Sequence, residues 1–191
     1  MRSNLGRIRI IGGQWRSRII SFPVYTDLRP TPDRVRETLF NWLGQDLTGL
    51  SCLDLFAGSG ALGFEAASRG AKHVVMVESS GSALHALSDN KIKLNAEQVE
   101  LVRMDASIYL VTDKQKFDIV FLDPPYRMKL LPEILPLLPP HMSEDGLVYL
   151  ETGRSDDLDQ ILQHWKIWRK SKAGKVNCYL LEMKQEPDDC G

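Results

Sequence analysis

The sequence predicts an open α/β fold in which helices cover both faces of a mainly parallel, seven-stranded sheet. From Cys52 onwards, short apolar runs alternate with segments of helical periodicity, which is typical of successive parallel strand–helix–strand units. The chain has 191 residues, of which 43% are hydrophobic, so we expect one domain with a sizeable core and a small appendage. Two apolar runs near the C-terminus are spaced as an antiparallel hairpin that closes the sheet.

The order of the elements can be predicted along the chain. An amphipathic helix is expected from Pro32 to near Gly44, with the Thr31 side chain capping its first turn. The predicted strands cover residues 52–56, 73–77, 101–103, 117–122, 147–150, 165–169 and 176–183. The predicted helical segments cover residues 62–68, 83–94 and 108–110. The proline-rich segment 130–140 is expected to be a short helix or an irregular covering segment.

Residues 1–36 concentrate positive charge. They contain eight arginines and two aspartates, although the net charge of the whole chain is −1. The arginines alternate with isoleucines in two runs separated by Gly12–Gly13, which indicates a β-hairpin. Because the guanidinium group suits phosphate contacts and stacking on bases, we expect residues 1–30 to form a basic, hairpin-like arm for nucleic acid. The main domain then covers residues 31–191, and a solvated basic tail is the alternative to the arm.

The composition argues against several other classes. No apolar run reaches the roughly 18 residues of a membrane span, and the first residues lack the apolar segment of a secretion signal. We therefore expect a cytoplasmic protein. Three cysteines without CxxC spacing and four scattered histidines predict reduced thiols and no metal site.

A glycine-rich loop is the candidate ligand site. The stretch Leu53–Gly63, LDLFAGSGALG, contains G-x-G-x-x-G directly after a predicted strand. In such sheets the ligand lies beyond the carboxyl ends of the strands, and glycines let the backbone approach it closely. Glu78 ends the next strand, where a carboxylate can accept both hydrogen bonds of a ribose diol. These features leave NAD and S-adenosylmethionine open, because both carry adenosine.

Three further features favour S-adenosylmethionine. Asp54 lies within the last residues of the strand, where it is poorly placed to contact a pyrophosphate. It is well placed to hold the amino group of a methionine moiety, or an ordered water beside that moiety. Asp105–Ala106 follows the third strand, where Asp105 can accept a hydrogen bond from the adenine amine. A helix N-cap at Asp105 is the alternative and is compatible with this use. The third feature is the corner after the fourth strand.

That corner reads Asp123-Pro124-Pro125-Tyr126, or DPPY. Two successive prolines fix the backbone and remove two N–H donors, which leaves carbonyl groups pointing outward. The Asp123 carboxylate and the Pro124 carbonyl can accept both hydrogens of a planar exocyclic amine, while Tyr126 offers a ring on which the base stacks. Because this corner has no role in hydride transfer, it favours methyl transfer to nitrogen.

The FAGSG loop and the apolar run into DPPY resemble the Rossmann-like S-adenosylmethionine-dependent methyltransferases that act on exocyclic or amide nitrogens. The stretches IRIIGGQWR at residues 8–16 and RPTPDRVRETLFN at residues 29–41 are similar to the RsmD family, the guanine-N2 methyltransferases of bacterial small-subunit (16S) ribosomal RNA. The similarity covers nearly the whole chain. It implies methyl transfer from S-adenosylmethionine to N2 of a specific guanine, with S-adenosylhomocysteine as the product and without a metal.

Carried over by position, the resemblance implies three sets of site residues. The cofactor-binding set is Asp54, Phe56, Ala57, Gly58, Gly60, Glu78, Asp105 and Ala106. The catalytic set is Asp123, Pro124, Pro125 and Tyr126, and the RNA-binding set is Arg7, Arg9, Arg16, Arg18, Arg29, Arg34 and Arg36. The RPTPDRVRETLFN segment is expected to help close the cofactor pocket. The expected partner is small-subunit ribosomal RNA, in a subunit or an assembly intermediate, and the expected state is a monomer.

Three other functions remain open. A DNA adenine-N6 methyltransferase can carry DPPY, but it usually needs additional mass to read a target sequence. A protein-glutamine methyltransferase typically has asparagine where Asp123 stands. A non-enzymatic nucleic-acid-binding module with a basic arm would leave Glu78, Asp105 and DPPY without a function.

Overall fold

The computed structural model describes residues 5–24, 31–125, 130–153, 162–174 and 176–184. The strands are β1 (Leu5–Arg9), β2 (Ile19–Pro23), β3 (Ser51–Asp54), β4 (His73–Val77), β5 (Val99–Val102), β6 (Phe117–Leu122), β7 (Met142–Thr152), β8 (Trp165–Ala173) and β9 (Val176–Met183). The helices are α1 (Asp33–Leu43), α2 (Ala61–Ser68), α3 (Gly81–Leu94), α4 (Ala106–Thr112) and α5 (Leu131–Ile134). Two 3-10 turns follow α5, at Leu135–Leu137 and Pro139–His141.

Seven strands form one sheet in the order β5-β4-β3-β6-β7-β9-β8. The first five strands in this order are parallel, and β9 pairs antiparallel with both β7 and β8. The order reverses at β3, which pairs with β4 on one side and with β6 on the other. Ligands bind at such a switch point, beyond the carboxyl ends of the strands. The predicted mainly parallel sheet with a closing antiparallel hairpin is confirmed.

Each face of the sheet carries a hydrophobic core, because alternate residues of a buried strand point to opposite faces. In β3, Cys52 belongs to the core that contains residues of α1, α2 and α3. Its neighbour Leu53 belongs to the core that contains residues of α4 and α5. Helices therefore cover both faces, as predicted. None of the helices in the described ranges has the length and apolar character that a membrane crossing requires.

The β1–β2 hairpin is part of the first of these cores. Ile8 and Ile20 pair across the hairpin, and both are buried in that core. Asn90 on α3 fixes β2, since its Oδ1 accepts from the Ser21 N–H at 3.0 Å and its Nδ2 donates to the Ser21 carbonyl at 2.7 Å. The expected boundary at residue 30 lies outside the described residues.

Of two local predictions, one is wrong and the other is confirmed. The prediction that Thr31 caps α1 is wrong: the helix begins at Asp33, with Pro32 at the N-cap position and no side-chain cap hydrogen bond. The Thr31 hydroxyl bonds to Asp123 instead. Segment 130–140 is a short helix followed by 3-10 turns, in line with the prediction, because its prolines cannot donate the hydrogen bonds of a longer helix.

Candidate active site

The carboxyl edge of the sheet carries a row of acidic side chains. Asp54 ends β3, while Glu78, Asp105 and Asp123 follow β4, β5 and β6, and Glu151 lies near the end of β7. Carboxyl ends of parallel strands meet at one edge of a sheet, so the fold brings together the acidic residues that the sequence singled out. It adds Glu151, which the sequence reasoning missed although it ends the apolar run of β7.

Backbone N–H groups hold the carboxylates beside the glycine loop. Asp54 Oδ2 accepts from the Gly63 N–H at 3.0 Å, at the start of α2. Glu78 Oε2 accepts from the Gly58 N–H at 2.8 Å, and its Oε1 accepts from the Ser80 N–H at 2.7 Å. Each of these oxygens keeps a second lone pair for a ligand. Glu78 therefore shapes both the glycine loop and the start of α3.

Two glycines of the loop have packing roles. A Cβ at Gly63 would lie 2.9 Å from the Met76 side chain, so this glycine lets α2 pack closely against β4. A Cβ at Gly60 would lie 2.7 Å from the side chains of Leu87 and Phe64, and its φ of 82° favours glycine. A contact of Gly60 with a cofactor remains a prediction.

Asp54 has an unusual proton affinity. Burial raises the pKa of its carboxyl to about 7, against hydrogen bonds from Gly63 and Phe56 that lower it, and the charge of Glu78 raises it further. A nearby cation favours the ionised form of such a carboxyl. The environment of Asp54 therefore suits a positively charged ligand group, such as an ammonium or a sulfonium.

Asp105 caps α4, as the alternative reading of its position anticipated. Its Oδ1 accepts from the Ser107 N–H at 2.8 Å and from the Ser107 hydroxyl at 2.6 Å. The hydroxyl bond is the main reason why the pKa of Asp105 lies below its usual value. The side chain is exposed and has further acceptor capacity, so capping and adenine recognition are compatible.

The DPPY corner begins where β6 ends. Asp123 is partly buried, Pro124 is buried and Pro125 is exposed. Tyr126 lies outside the described residues. Thr31, itself buried, donates its hydroxyl to Asp123 Oδ2 at 3.1 Å, so the segment before α1 touches the corner directly. Sequence reasoning singled out both motifs but missed this contact.

A second acidic group lies beside the corner. Glu151 is buried, and its Oε1 accepts from the Tyr149 hydroxyl at 2.9 Å. Burial, then the charges of Glu151 and Asp54, raise the pKa of Asp123 well above its usual value, and the Thr31 hydrogen bond opposes them. Asp123 is therefore a stronger proton acceptor than an ordinary aspartate. The described residues contain no cluster of three or more His, Cys, Asp or Glu side chains arranged for a metal ion.

The arginines predicted to contact RNA divide into three groups. Five are exposed on the hairpin and α1, and Arg29 lies outside the described residues. The exposed set is Arg7, Arg9, Arg16, Arg18 and Arg34. Arg36 is fully buried, which leaves it no surface for RNA.

The prediction for Arg36 is therefore wrong, and its contacts explain why. Its guanidinium donates to Glu65 at 3.1 Å and to the Arg9 carbonyl at 3.0 Å, and it also pairs with Asp33. Glu65 in turn accepts the N–H groups of residues 11 and 12 at 2.9 and 2.7 Å. Arg36 thus holds the hairpin against α1 and α2, since a buried charge needs a paired and hydrogen-bonded partner.

Together, the sheet order and the row of strand-end carboxylates define a Rossmann-like methyltransferase. The methyltransferase-like fold recurs in the ribosomal protein L11 methylase of Lactobacillus delbrueckii subsp. bulgaricus, with a TM-score of 0.65 at 24% identity over 85% of this chain and 90% of that one. The solved structure of Escherichia coli yhhF, described as a candidate methyltransferase, has a TM-score of 0.84 at 39% identity. It covers 95% of this chain and 100% of that one.

Sequence comparison then gives the particular family. A family model described as Conserved hypothetical protein 95 matches residues 8–182. Ribosomal RNA small subunit methyltransferase D of Escherichia coli (strain K12) is 40% identical over 190 residues, which cover 97% of this chain and 96% of that one. Its namesake from Haemophilus influenzae is 37% identical over 93% of this chain and 94% of that one. The chain belongs to this family, and the resemblance and fold class predicted from the sequence are confirmed.

Proposed function

We propose that this protein transfers a methyl group from S-adenosylmethionine to the exocyclic N2 of a guanine in small-subunit (16S) ribosomal RNA. The names of its full-length relatives support the substrate class. The observation that carries the proposal is the Thr31–Asp123 hydrogen bond, which joins the segment before α1 to the DPPY corner at the carboxyl edge.

The residues along β3, β4 and β5 fit the methyl donor. Asp54 and the loop at 56–60 would hold the methionine part, Glu78 the ribose, and Asp105 with Ala106 the adenine. S-adenosylmethionine supplies a methyl group on a cationic sulfonium and leaves as S-adenosylhomocysteine. The Asp54 and Glu78 carboxylates, held beside the glycine loop at the ends of β3 and β4, are acceptors that suit the amino group and the ribose diol of this donor, and this donor set supports the proposal.

The residues at the end of β6 would position the base. The N2 lone pair of guanine is delocalised into the ring, so N2 is a weak nucleophile and catalysis depends on orientation and on polarising its N–H bonds. The Asp123 carboxylate and the Pro124 carbonyl would accept these two hydrogens. Thr31 holds one oxygen of Asp123 and thereby fixes the direction of the carboxylate. Tyr126 would stack on the extruded base.

Asp123 would also take the proton that N2 loses when it gains the methyl group. Its pKa, raised by burial and by Glu151, suits it to that task. Because turnover would require the ionised carboxylate, the rate should fall as the pH is lowered through the raised pKa of Asp123.

The exposed arginines of the hairpin and Arg34 would contact RNA phosphates. They lie on the segments that flank Thr31, so the basic surface leads to the corner. A localisation in the cytoplasm and a monomeric state are part of the proposal.

Incubation with tritiated S-adenosylmethionine and, separately, small subunits, their deproteinised RNA, DNA and protein tests the proposal. We expect label in small-subunit RNA, recovered as N2-methylguanosine after digestion. Label in DNA adenine or in protein glutamine would replace the proposed substrate, and binding without transfer would support a nucleic-acid-binding module.

A further inference from the structure

A pocket of about 370 Å³ lies between α1 and the end of the β8–β9 hairpin. Its lining includes Arg34 and Trp42 from α1, Lys172 from β8, and Tyr149 from β7. Its size is near the lower end of the roughly 300–1,000 Å³ of ligand pockets, which suits one nucleotide. Neither the cofactor-binding set nor the DPPY corner contributes a residue to this lining.

The pocket lies on the other side of Pro32 from the hairpin. A second groove, of about 390 Å³, is lined by Arg7 and Arg9 of β1 and by Thr31–Asp33. Pro32 lines both spaces, and the adjacent Thr31 bonds to Asp123. The two grooves therefore flank the segment that holds the catalytic corner.

The chemistry of the pocket matches single-stranded RNA. Trp42 is partly buried and gives the pocket one accessible aromatic wall, whereas Tyr149 has no exposed surface; Arg34 and Lys172 are exposed cations. Proteins bind unpaired nucleotides by stacking bases on aromatic rings and by pairing cations with phosphates.

The edge strand β8 extends this surface. It exposes the cations Lys166, Arg169, Lys170 and Lys172. The ladder with β9 shifts register between Ile167 and Arg169, and there Trp168 is 43% exposed, with the Arg169 guanidinium 5.1 Å from its ring centroid. Such irregularities redirect side chains. Lysines also protect an edge strand from pairing with other chains, but that role needs neither the exposed tryptophan nor a pocket at the end of the strand.

Resting on the proposed function, we propose that the α1–β8 pocket and the exposed cations of β8 form a second RNA-binding surface, in which the pocket holds one unpaired nucleotide next to the target guanine. The RNA strand then crosses Pro32, with the hairpin groove on one side and the pocket on the other. Holding the strand on both sides of the corner favours an extruded base, because extrusion costs unstacking energy that flanking contacts offset.

The first test removes charge from the surface. We compare Lys170→Ala/Lys172→Ala with the matched control Lys114→Ala/Lys116→Ala, whose lysines are exposed in the segment that leads into the amino end of the central strand β6. Binding of deproteinised small-subunit RNA is measured from low to moderate salt. The β8 variant should lower the log–log salt slope by roughly 1.5 units, at about 0.7–0.9 per lost phosphate contact, while the control leaves it unchanged.

The second test addresses stacking. Trp42→Leu should raise the KM for RNA about tenfold. Trp42→Phe should keep the KM close to the wild-type value, because an aromatic ring is retained. The affinity for S-adenosylmethionine should match that of the wild-type protein, whereas the melting temperature should fall in both variants, because Trp42 also packs against the core. Equal effects of leucine and phenylalanine would assign Trp42 to packing alone.

The outcomes separate this inference from the proposed function. If the wild-type protein methylates small-subunit RNA while the β8 variant keeps the slope and KM of the control, the second surface is wrong and the function stands. If the wild-type protein transfers no methyl group to RNA or subunits, the function fails. If the β8 variant binds assembled subunits more weakly than the control does but binds deproteinised RNA equally well, the surface contacts a ribosomal protein and the RNA proposal is overturned.

Discussion

The carboxyl edge of the sheet has two halves that hold their carboxylates in different ways. Over β3, β4 and β5, the acidic groups accept hydrogen bonds from backbone N–H groups of their own loops and helices. Over β6 and β7, Asp123 and Glu151 accept from the side-chain hydroxyls of Thr31 and Tyr149. The first half keeps its shape through the backbone, whereas the second depends on a side chain delivered by a distant segment. After their roles in the proposed function, the half over β3, β4 and β5 is called the cofactor half and the half over β6 and β7 the substrate half. Substitutions should therefore separate cofactor binding from turnover.

The largest effect is expected at Asp123. Asp123→Asn removes the proton acceptor of the substrate half, so kcat should fall about 10²- to 10⁴-fold, the usual contribution of a general base. The dissociation constant of S-adenosylmethionine should stay within about twofold. Equilibrium binding and single-turnover transfer measure the two quantities, with the exposed Asp145→Asn as a control. Near wild-type turnover of the Asp123 variant would remove Asp123 from the mechanism.

The cofactor half should respond in the opposite way at Glu78. In the wild-type protein, the N–H groups of Gly58 and Ser80 each donate to one oxygen of the Glu78 carboxylate. In Glu78→Gln, the amide NH₂ replaces one of these oxygens and must face an N–H group, and one acceptor for the ribose is lost as well. We expect the dissociation constant of S-adenosylmethionine to rise roughly 10- to 100-fold, the cost of about 1.4–2.8 kcal/mol. At saturating cofactor, kcat should change little. A fall in kcat alone would contradict the division into two halves.

A smaller effect is expected at Thr31. Thr31→Val removes a hydrogen bond to a charged group and should lower kcat about tenfold, whereas Thr31→Ser should keep it. Because this bond lowers the pKa of Asp123, the acidic limb of the pH–rate profile should move to higher pH in the valine variant. A merely structural role of Thr31 would lower activity without moving that limb.

The smallest effect concerns the protonation of Asp54. With a pKa of about 7, Asp54 loses its charge as the pH falls below neutral, so the affinity for the cationic methyl donor should drop about fivefold between pH 7 and pH 6. Asp54→Asn should bind more weakly at pH 8 and show a flatter dependence. Equilibrium dialysis across this range provides the measurement, and a wild-type affinity independent of pH would exclude a contact between Asp54 and the cation.

The positions of Asp54, Glu78 and Asp105 at or just after strand ends could be predicted, because the strands are visible as local apolar runs. The Asp105 cap was open to prediction for the same reason, since its partner Ser107 is 2 positions away, whereas a contact of these residues with a cofactor stays a prediction. Thr31 and Asp123 are 92 positions apart, and no local pattern reports that contact. For this reason the local pattern predicts a helix cap at Thr31 and not the contact with Asp123. Glu151 could have been found, since a carboxylate that ends an apolar strand is itself a signal.

The arginines illustrate the same limit. Arg34 and Arg36 lie two positions apart on one helix, and the charge pattern treats them alike. Only the position of Glu65, 29 residues from Arg36, makes one of them a buried structural group. The charge pattern therefore predicts that the segment carries exposed basic side chains, but it does not predict which of its arginines is buried.

The Glu65 carboxylate that receives Arg36 also accepts the N–H groups of residues 11 and 12 and the guanidinium of Arg69. The hairpin arginines are consequently presented on a preformed scaffold, because the backbone entropy of the hairpin is lost on folding. A substitution at Glu65, which has no exposed surface, should slow the approach to a productive RNA complex as well as lower the folding stability. In the proposed RNA complex, the hairpin backbone would therefore need no further ordering.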